Sequence, residues 1–478
     1  MSWRSCLARV LSGFVVVAVG AIAGAVGAAS VSAATAGVLW VDQATAGCSD
    51  ALTRGQVTRE TPWCSLQRAV GAARPGDSVW VMPGRYRGTV RPTVSGSVSA
   101  PIRFVAPSGG VTVDAGGATV ALKVVGVDWL WFQGLGVTGA DGQGVFVDDS
   151  TGVTLTQLTV TGNRAQGIQA RASALTVSDS TISRNGLAGI SELVGSTGNA
   201  YRDNTITENG KDGAPYNGDG IQLNGVGASV SGNTVTGNGD PGIFEHGIYA
   251  GRRSSDYLIE SNTLAHNAAS DIKAAGSGGT VRYNRLEDSR LGLVFSDNAE
   301  PISAYYNLIV GKFQHAVFFT TGTDGARVRL WDNTIVQTGR LTSAGDASAV
   351  FIASAALADL RNNLICYTNF DQLGVALFVA DTSRASLVSN TNWLCGGDLR
   401  GRNVALNGAR ATLSQWRSST GQDGGSFSTR PARFDRDFRV TSRNLGARLG
   451  EPLGLERDYA GVSVSARAPD IGAYQSRF

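Results

Sequence analysis

The chain has 478 residues, 63 of them glycine, and sets 41 lysines and arginines against 38 aspartates and glutamates. With a formal charge of only +3 and no basic run, it lacks the electrostatic footprint of a nucleic-acid binder. The length is enough for two or three ordinary domains or for one long repetitive domain with a sizeable core.

At the N-terminus Arg4 and Arg9 flank an apolar stretch from Val10 to Ala29, and small residues follow as "VSA" and "ATA", ending at Ala33 and Ala36. That order of charge, apolar run and small residues marks residues 1–36 as an export signal. A retained membrane helix is the rival reading of so long an apolar run. Export removes Arg4 and Arg9, takes the net charge from +3 to +1, and predicts a secreted, extracellular chain with no membrane contact. Cys6 leaves as well, so Cys48, Cys64, Cys366 and Cys395 remain. An even count in an exported chain points to disulfides, and nearness in sequence pairs Cys48 with Cys64 and Cys366 with Cys395. A zinc site is the alternative, although no C-x-x-C spacing is present.

Residues 37–120 read as a cap and first coils. Leu66, Ala69, Val70 and Ala73 share one helical face, and Pro75-Gly76 ends that helix before the strand "SVWVM". Placed over the first coil, the helix would cover a strand edge.

From 121 to 395 the chain repeats. "DNTITEN" (203–209), "GNTVTGN" (232–238) and "SNTLAHN" (261–267) align, and they extend into two asparagine columns. One is Asn204, Asn233, Asn262, Asn284, Asn307, Asn333 and Asn363; the other is Asn163, Asn185, Asn209, Asn238 and Asn267. Short alternating β-branched runs, glycine turns and copies 22 to 30 residues apart predict an all-β solenoid, a right-handed parallel β-helix. Asparagine suits its turns because it tolerates the left-handed conformation and its amide reaches the next coil. Calcium-binding nonapeptide repeats are the alternative source of such a column, but their glycine- and aspartate-rich pattern is missing.

The residues Ile168, Ile190, Ile221, Ile248, Ile272, Leu293 and Val317 are predicted as inward anchors. Side chains alternate along a strand, so the following residues form an outward column: Gln169, Ser191, Gln222, Tyr249, Lys273, Val294 and Phe318. Five residues separate asparagine from anchor in three coils, but twelve separate Asn209 from Ile221 and ten separate Asn238 from Ile248. The extra residues predict two raised loops, 210–219 and 239–246, walling a groove beside Gln222, Tyr249 and Lys273.

Residues 396–478 read as closing coils, ending in "LSQWRSSTGQDGGSF" and "APDIGAYQ". Together with the cap and the coils, these segments resemble secreted bacterial right-handed β-helix proteins of the pectate-lyase-like superfamily. That superfamily includes pectate and alginate lyases, epimerases, glycoside hydrolases and non-catalytic members. The resemblance implies a carbohydrate-active protein acting on a polysaccharide, expected here as a monomer. Two details differ from it. The dense aspartate run that some of these lyases use for calcium is absent, and Asp240-Pro241 is followed by Gly242 where the alginate epimerases have Asp-Pro-His.

The groove chemistry favours a polysaccharide lyase that cleaves a uronic-acid polymer by β-elimination. Lys273 is expected as base, with His246 as the alternative base and Tyr249 as the acid for the leaving oxygen; Asp271, beside Lys273, opposes a lowered lysine proton affinity. Gln222, Tyr216, Arg252, Arg253, Arg282 and Phe318 are expected to bind substrate. Asp212, Asp219, Asp240 and Glu245 are expected to hold Ca2+. Two other functions remain open: a glycoside hydrolase with Asp219 and Glu245 as its carboxylates, and a non-catalytic glycan-binding surface with Lys273 an ordinary exposed lysine.

Overall fold

The computed structural model describes residues 37–211, 217–241, 244–298, 301–320, 327–339, 348–353, 357–368, 374–380, 386–398, 400–441 and 445–476. The export signal expected over 1–36 lies outside them. No described helix is long and apolar enough to cross a membrane.

The repeat forms a parallel β-helix with three strands in each coil. One coil runs through Ala200–Arg202, Thr205–Thr207 and Ile221–Leu223, and the next through Ser229–Ser231, Thr234–Thr236 and His246–Ala250. Each strand pairs in parallel with its counterpart one coil on, which gives three long sheets of fourteen, fourteen and thirteen strands among the described residues. The described exception is the terminal antiparallel pair Val404–Leu406 and Ala409–Ala411. Valine, leucine and isoleucine side chains from all three sheets fill one continuous interior. No coil encloses a core alone, so stacking supplies the burial that holds the chain together.

Both asparagine columns are ladders. Asn233 Nδ2 donates to Asn262 Oδ1 at 2.9 Å, to the Tyr201 carbonyl at 2.8 Å and to the Ser231 carbonyl at 3.1 Å. Its own Oδ1 accepts from the Asn204 side chain and backbone, each at 3.0 Å. The second column repeats this from Asn163 to Asn267. The expected reason for asparagine needs one correction. The left-handed residue is the one before it: Asp203, Ser261, Tyr283, Tyr306, Asp332 and Asn362 have φ between +51° and +57°, and so do Arg184, Glu208 and His266 in the other column. The corner is turned by that residue, and asparagine is there for its amide.

The N-terminal end carries the helix its sequence predicts, and the C-terminal end adds a second helix where only coils were expected. Helix α1, Leu66–Ala72, is capped by Ser65, whose hydroxyl accepts from the Arg68 N–H, and it buries Leu66, Ala69 and Val70. Helix α2, Leu413–Thr420, starts at a Thr412–Gln415 capping box and stops at Gly421, φ +71°. Trp416 is buried beneath it and donates to Asp423 at 2.9 Å. Ile471 and Ala473 then pack on the outside of the second sheet against Leu308, Val336 and Leu364. Disulfides join Cys48 to Cys64 and Cys366 to Cys395, the pairing that proximity predicts.

Replacing Asn233 leaves the Asn204 backbone N–H and one N–H of its side-chain amide without their buried acceptor, at roughly 1–3 kcal/mol for each orphaned group. Asn233→Ala should therefore lower unfolding free energy by about 3 kcal/mol in urea titrations. Thr234→Ala, on the exposed side of the adjoining strand, should stay within about 0.5 kcal/mol.

Candidate functional site

The predicted anchors and the predicted outward column both stand in register. Ile168, Ile190, Ile221, Ile248, Ile272, Leu293 and Val317 pair in succession and are fully buried. Their neighbours Gln169, Ser191, Gln222, Tyr249, Lys273, Val294 and Phe318 pair in the same order, although Ser191 and Val294 are buried rather than exposed. Parallel strands lie ~4.8 Å apart, so Gln222, Tyr249 and Lys273 are consecutive neighbours on one outer face.

His246 joins them. It opens the strand His246–Ala250, its ring centroid lies 5.5 Å from that of Tyr249, and its Nδ1 is 2.7 Å from Ser270 Oγ on the next coil. Lys273 Nζ sits over the Tyr249 ring, 5.1 Å from its centroid. Burial, and to a smaller degree the Lys273 ammonium, hold the His246 imidazole down to about 3. The ring is therefore neutral at neutral pH, and the bond to Ser270 occupies one nitrogen while leaving the other for chemistry.

Glu245 and Asp219 anchor the loops behind this group. Glu245 is buried, and its oxygens accept from the backbone N–H groups of Asn217, Gly218 and Asp240 at 3.3, 2.8 and 2.8 Å. A side chain at 218 would stand 2.4 Å from the Glu245 carboxylate, so the loop needs glycine there. Asp219 accepts from the His246 N–H at 2.7 Å. Burial first, with Glu245 adding to it, pushes the Asp219 carboxyl up to about 8. These two residues tie loop 210–219 to loop 239–246 and orient His246.

That use of their oxygens bears on the calcium expectation. Among the described residues, no group of three or more histidine, cysteine, aspartate or glutamate side chains is arranged to hold a metal ion. Asp212 lies outside the described residues, Asp240 is half-buried, and Glu245 is committed to backbone. The described carboxylates therefore do not fit a calcium site.

Other expected residues are dispersed. Tyr216 lies outside the described residues. Arg252 and Arg253 are exposed on the turn at the far end of the His246–Ala250 strand. Arg282 lies on another sheet, bonded to Glu260 at 2.7 Å and to Tyr305 Oη at 3.1 Å, and does not join the groove. Each coil carries three faces, and Arg282 stands on a different one from Gln222, Tyr249 and Lys273. Asp271 is also corrected. It is fully buried, accepts from Asn267 Nδ2 at 3.0 Å and from the Ser289 hydroxyl, and is pushed up to about 8 by burial. It faces the ladder and is protonated, so it sets no negative charge beside Lys273.

The groove also has residues that the sequence reading missed. The outward column continues from Phe318 to Phe351 and Phe378. Phe351 lies 5.4 Å from Phe318 and stacks on Phe378 at 4.6 Å. The signal was present as "HAVFF", "SAVFI" and "VALFV", at 315, 348 and 375. His315 precedes this run in the column of His246 and bonds Ser348 Oγ at 3.2 Å, repeating the His246–Ser270 pair. Phe244, in the second inserted loop, is 61% exposed, with the Arg290 guanidinium over its ring.

The sequence pattern described as "Right handed beta helix region" matches residues 130–244 and 219–392. No curated protein matches the chain. Among solved structures, the complex of XylC with xylose is 10% identical with a TM-score of 0.54, covering 92% of this chain and 98% of that one. The GH136 lacto-N-biosidase from Eubacterium ramulus is 15% identical with a TM-score of 0.48, covering 63% of this chain; the present chain spans 64% of its length. Pectate lyase Pel9A is 17% identical with a TM-score of 0.43, covering 92% and 96%. At these identities the XylC likeness is one of fold.

The buried acids give the protein a signed pH dependence. Asp219 and Asp271 have affinities raised from the usual carboxylate range to about 8. Their contribution is full below the unfolded value near 4 and is lost as pH rises through about 8. His246 acts in the opposite sense, its contribution present above 6.5 and lost as pH falls toward 3. Asp271→Asn keeps an acceptor for Asn267 and Ser289 while removing one titration. It should flatten the fall in melting temperature between about pH 5 and pH 8.5, at ~1.4 kcal/mol for each tenfold change in proton affinity.

Proposed function

We propose, on the premise that this chain belongs to the right-handed β-helix family, that it is a secreted carbohydrate-active protein and a lyase for a uronic-acid polysaccharide. The observation that carries the reading is one outer face on which a cation, a phenol and a neutral imidazole stand on adjacent coils: Lys273, Tyr249 and His246. Export agrees with the two disulfides.

β-Elimination needs three things: a neutralised carboxylate, a base for the C5 proton and an acid for the departing O4. Lys273 takes the first role, pairing with the substrate carboxylate and stabilising the enolate-like charge that develops on it. His246 takes the proton at C5 through the nitrogen that Ser270 does not hold. Its low proton affinity rises when the anionic substrate arrives, since a nearby negative charge favours the imidazolium. The C5–H pair becomes the C4–C5 double bond, the C4–O4 bond breaks, and Tyr249 gives its proton to O4. His246 then loses its proton to solvent and the Tyr249 phenolate takes one up, which resets both groups. No step passes through calcium.

A polymer lying along the solenoid axis would meet Gln222 on one side of this group and Phe318, Phe351 and Phe378 on the other. Aromatic faces suit the apolar faces of sugar rings. Phe244 and the inserted loops flank the same track. Hydrolysis is less well supported, because Asp219 and Glu245 spend oxygens on backbone N–H groups and are buried.

Pectate, alginate and glycosaminoglycans, offered in turn, should include one polymer from which the protein releases products absorbing in the ultraviolet from the new double bond. His246→Ala and Tyr249→Phe should each lower that rate by ~10²–10⁴-fold, and a chelator should leave it unchanged. Reducing ends without the absorbance would indicate hydrolysis instead. Binding with no product would leave a glycan-docking protein.

A further inference from the structure

The outward column of the groove does not begin at Gln169. On the preceding coil Phe146 pairs with Gln169, and on the coil before that Lys123 pairs with Phe146. Lys123 stands between Leu122 and Val124, and Phe146 between Val145 and Val147, all four fully buried. Both side chains therefore point outward, and each is half-buried. The chain has four lysines, Lys123, Lys211, Lys273 and Lys312, and two of them share this one column. Asp148, in register with Val125 on the next coil, is already neutralised by Arg171 at 2.7 Å.

Between the two lysines the column is polar. Gln169 accepts from Gln143 Nε2 and Gln222 accepts from the Ser191 hydroxyl, each at 3.1 Å. Both amides bond there through oxygen, which leaves their N–H groups as donors for sugar hydroxyls. Six steps of the register separate Lys123 from Lys273, and at ~4.8 Å each they span roughly 29 Å. An extended sugar chain advances by about one such step per residue, so about seven residues reach from one lysine to the other. On the far side of Lys273, Phe378 stands four steps away. The reacting group is therefore inside the column, with amides on one side and aromatic rings on the other.

We propose that Phe146 and Lys123 form a distal subsite of the groove, where Phe146 stacks on a sugar ring and Lys123 pairs with a carboxylate of the same chain. This rests on the reading of the groove as the site of an acidic polysaccharide, and it narrows that ligand to a long chain held at internal residues rather than by an end. Charge favours this occupant: one ammonium group stands at the start of the track and one in its middle, and the ring of Phe146 matches the apolar face of a sugar. An exposed ion pair is worth little alone. Here the ligand is already tethered at Lys273, so a second contact adds affinity without a second loss of translational freedom.

The test is calorimetric titration of the full Tyr249→Phe protein, which spares the ligand, with tetramers and decamers of galacturonate and of mannuronate and with a neutral xylose decamer. At least one acidic decamer should bind more tightly than its tetramer and than the xylose decamer. Adding Lys123→Ala should weaken that decamer about two- to fivefold, as expected for an exposed ion pair. Adding Phe146→Ala as well should bring the loss to roughly tenfold. The tetramer, held at Lys273, should bind as before, which also shows that the variants are folded. Equal affinity for tetramer and decamer, equal affinity for the xylose decamer, a decamer indifferent to both substitutions, an equal loss for the two lengths, or no binding of any acidic oligomer would overturn the proposal. Failure of the lyase reading shows separately, as acidic decamers that bind but yield no unsaturated product with the unsubstituted protein.

Discussion

At two corners of the repeat an asparagine amide donates to the side-chain oxygen of the equivalent asparagine one coil on, and its own oxygen accepts from the coil before. Each link also donates to a backbone carbonyl of the coil before it. The consequence is register. Because strand side chains alternate with a period of two, a slip of one residue would move every inward anchor to the outside. The ladder holds the coils against such a slip at each step. It thereby fixes which side chains become neighbours on the outer faces.

The functional face inherits that constraint. Lys273, Tyr249 and Gln222 are far apart in sequence and lie on consecutive coils because Ile272, Ile248 and Ile221 are held in line behind them. The inserted loops add what a bare coil lacks. Glu245 and Asp219 accept backbone N–H groups from the two loops, so buried carboxylates position the loops beside the rim side chains.

This division explains what the sequence made legible. Anchors, the outward register, both ladders, the N-terminal helix and the disulfide pairing follow from spacing and parity, which parallel stacking preserves, whereas the helix Leu413–Thr420 stands where closing coils were expected. Asp271 was not legible, because its turn toward Asn267 and Ser289 depends on the shape of the corner rather than on alternation. Arg282 was misplaced because sequence distance does not say which of three sheets a residue joins. Two acids of the loops expected as cation ligands, Asp219 and Glu245, instead accept backbone N–H groups of the two loops. Phe351 and Phe378 were readable in principle, since each repeats the strand pattern around Phe318.

The central claim is that the column from Gln222 to Phe318 receives an acidic polysaccharide with its carboxylate on Lys273. A crystal structure of the Tyr249→Phe protein with an acidic oligosaccharide tests it most directly. The expected result is a chain lying along the solenoid axis across Gln222, Lys273 and Phe318, one carboxylate within ~3 Å of Lys273 Nζ. An oligosaccharide on either of the other two sheets, or carboxylates turned away from Lys273, would contradict it.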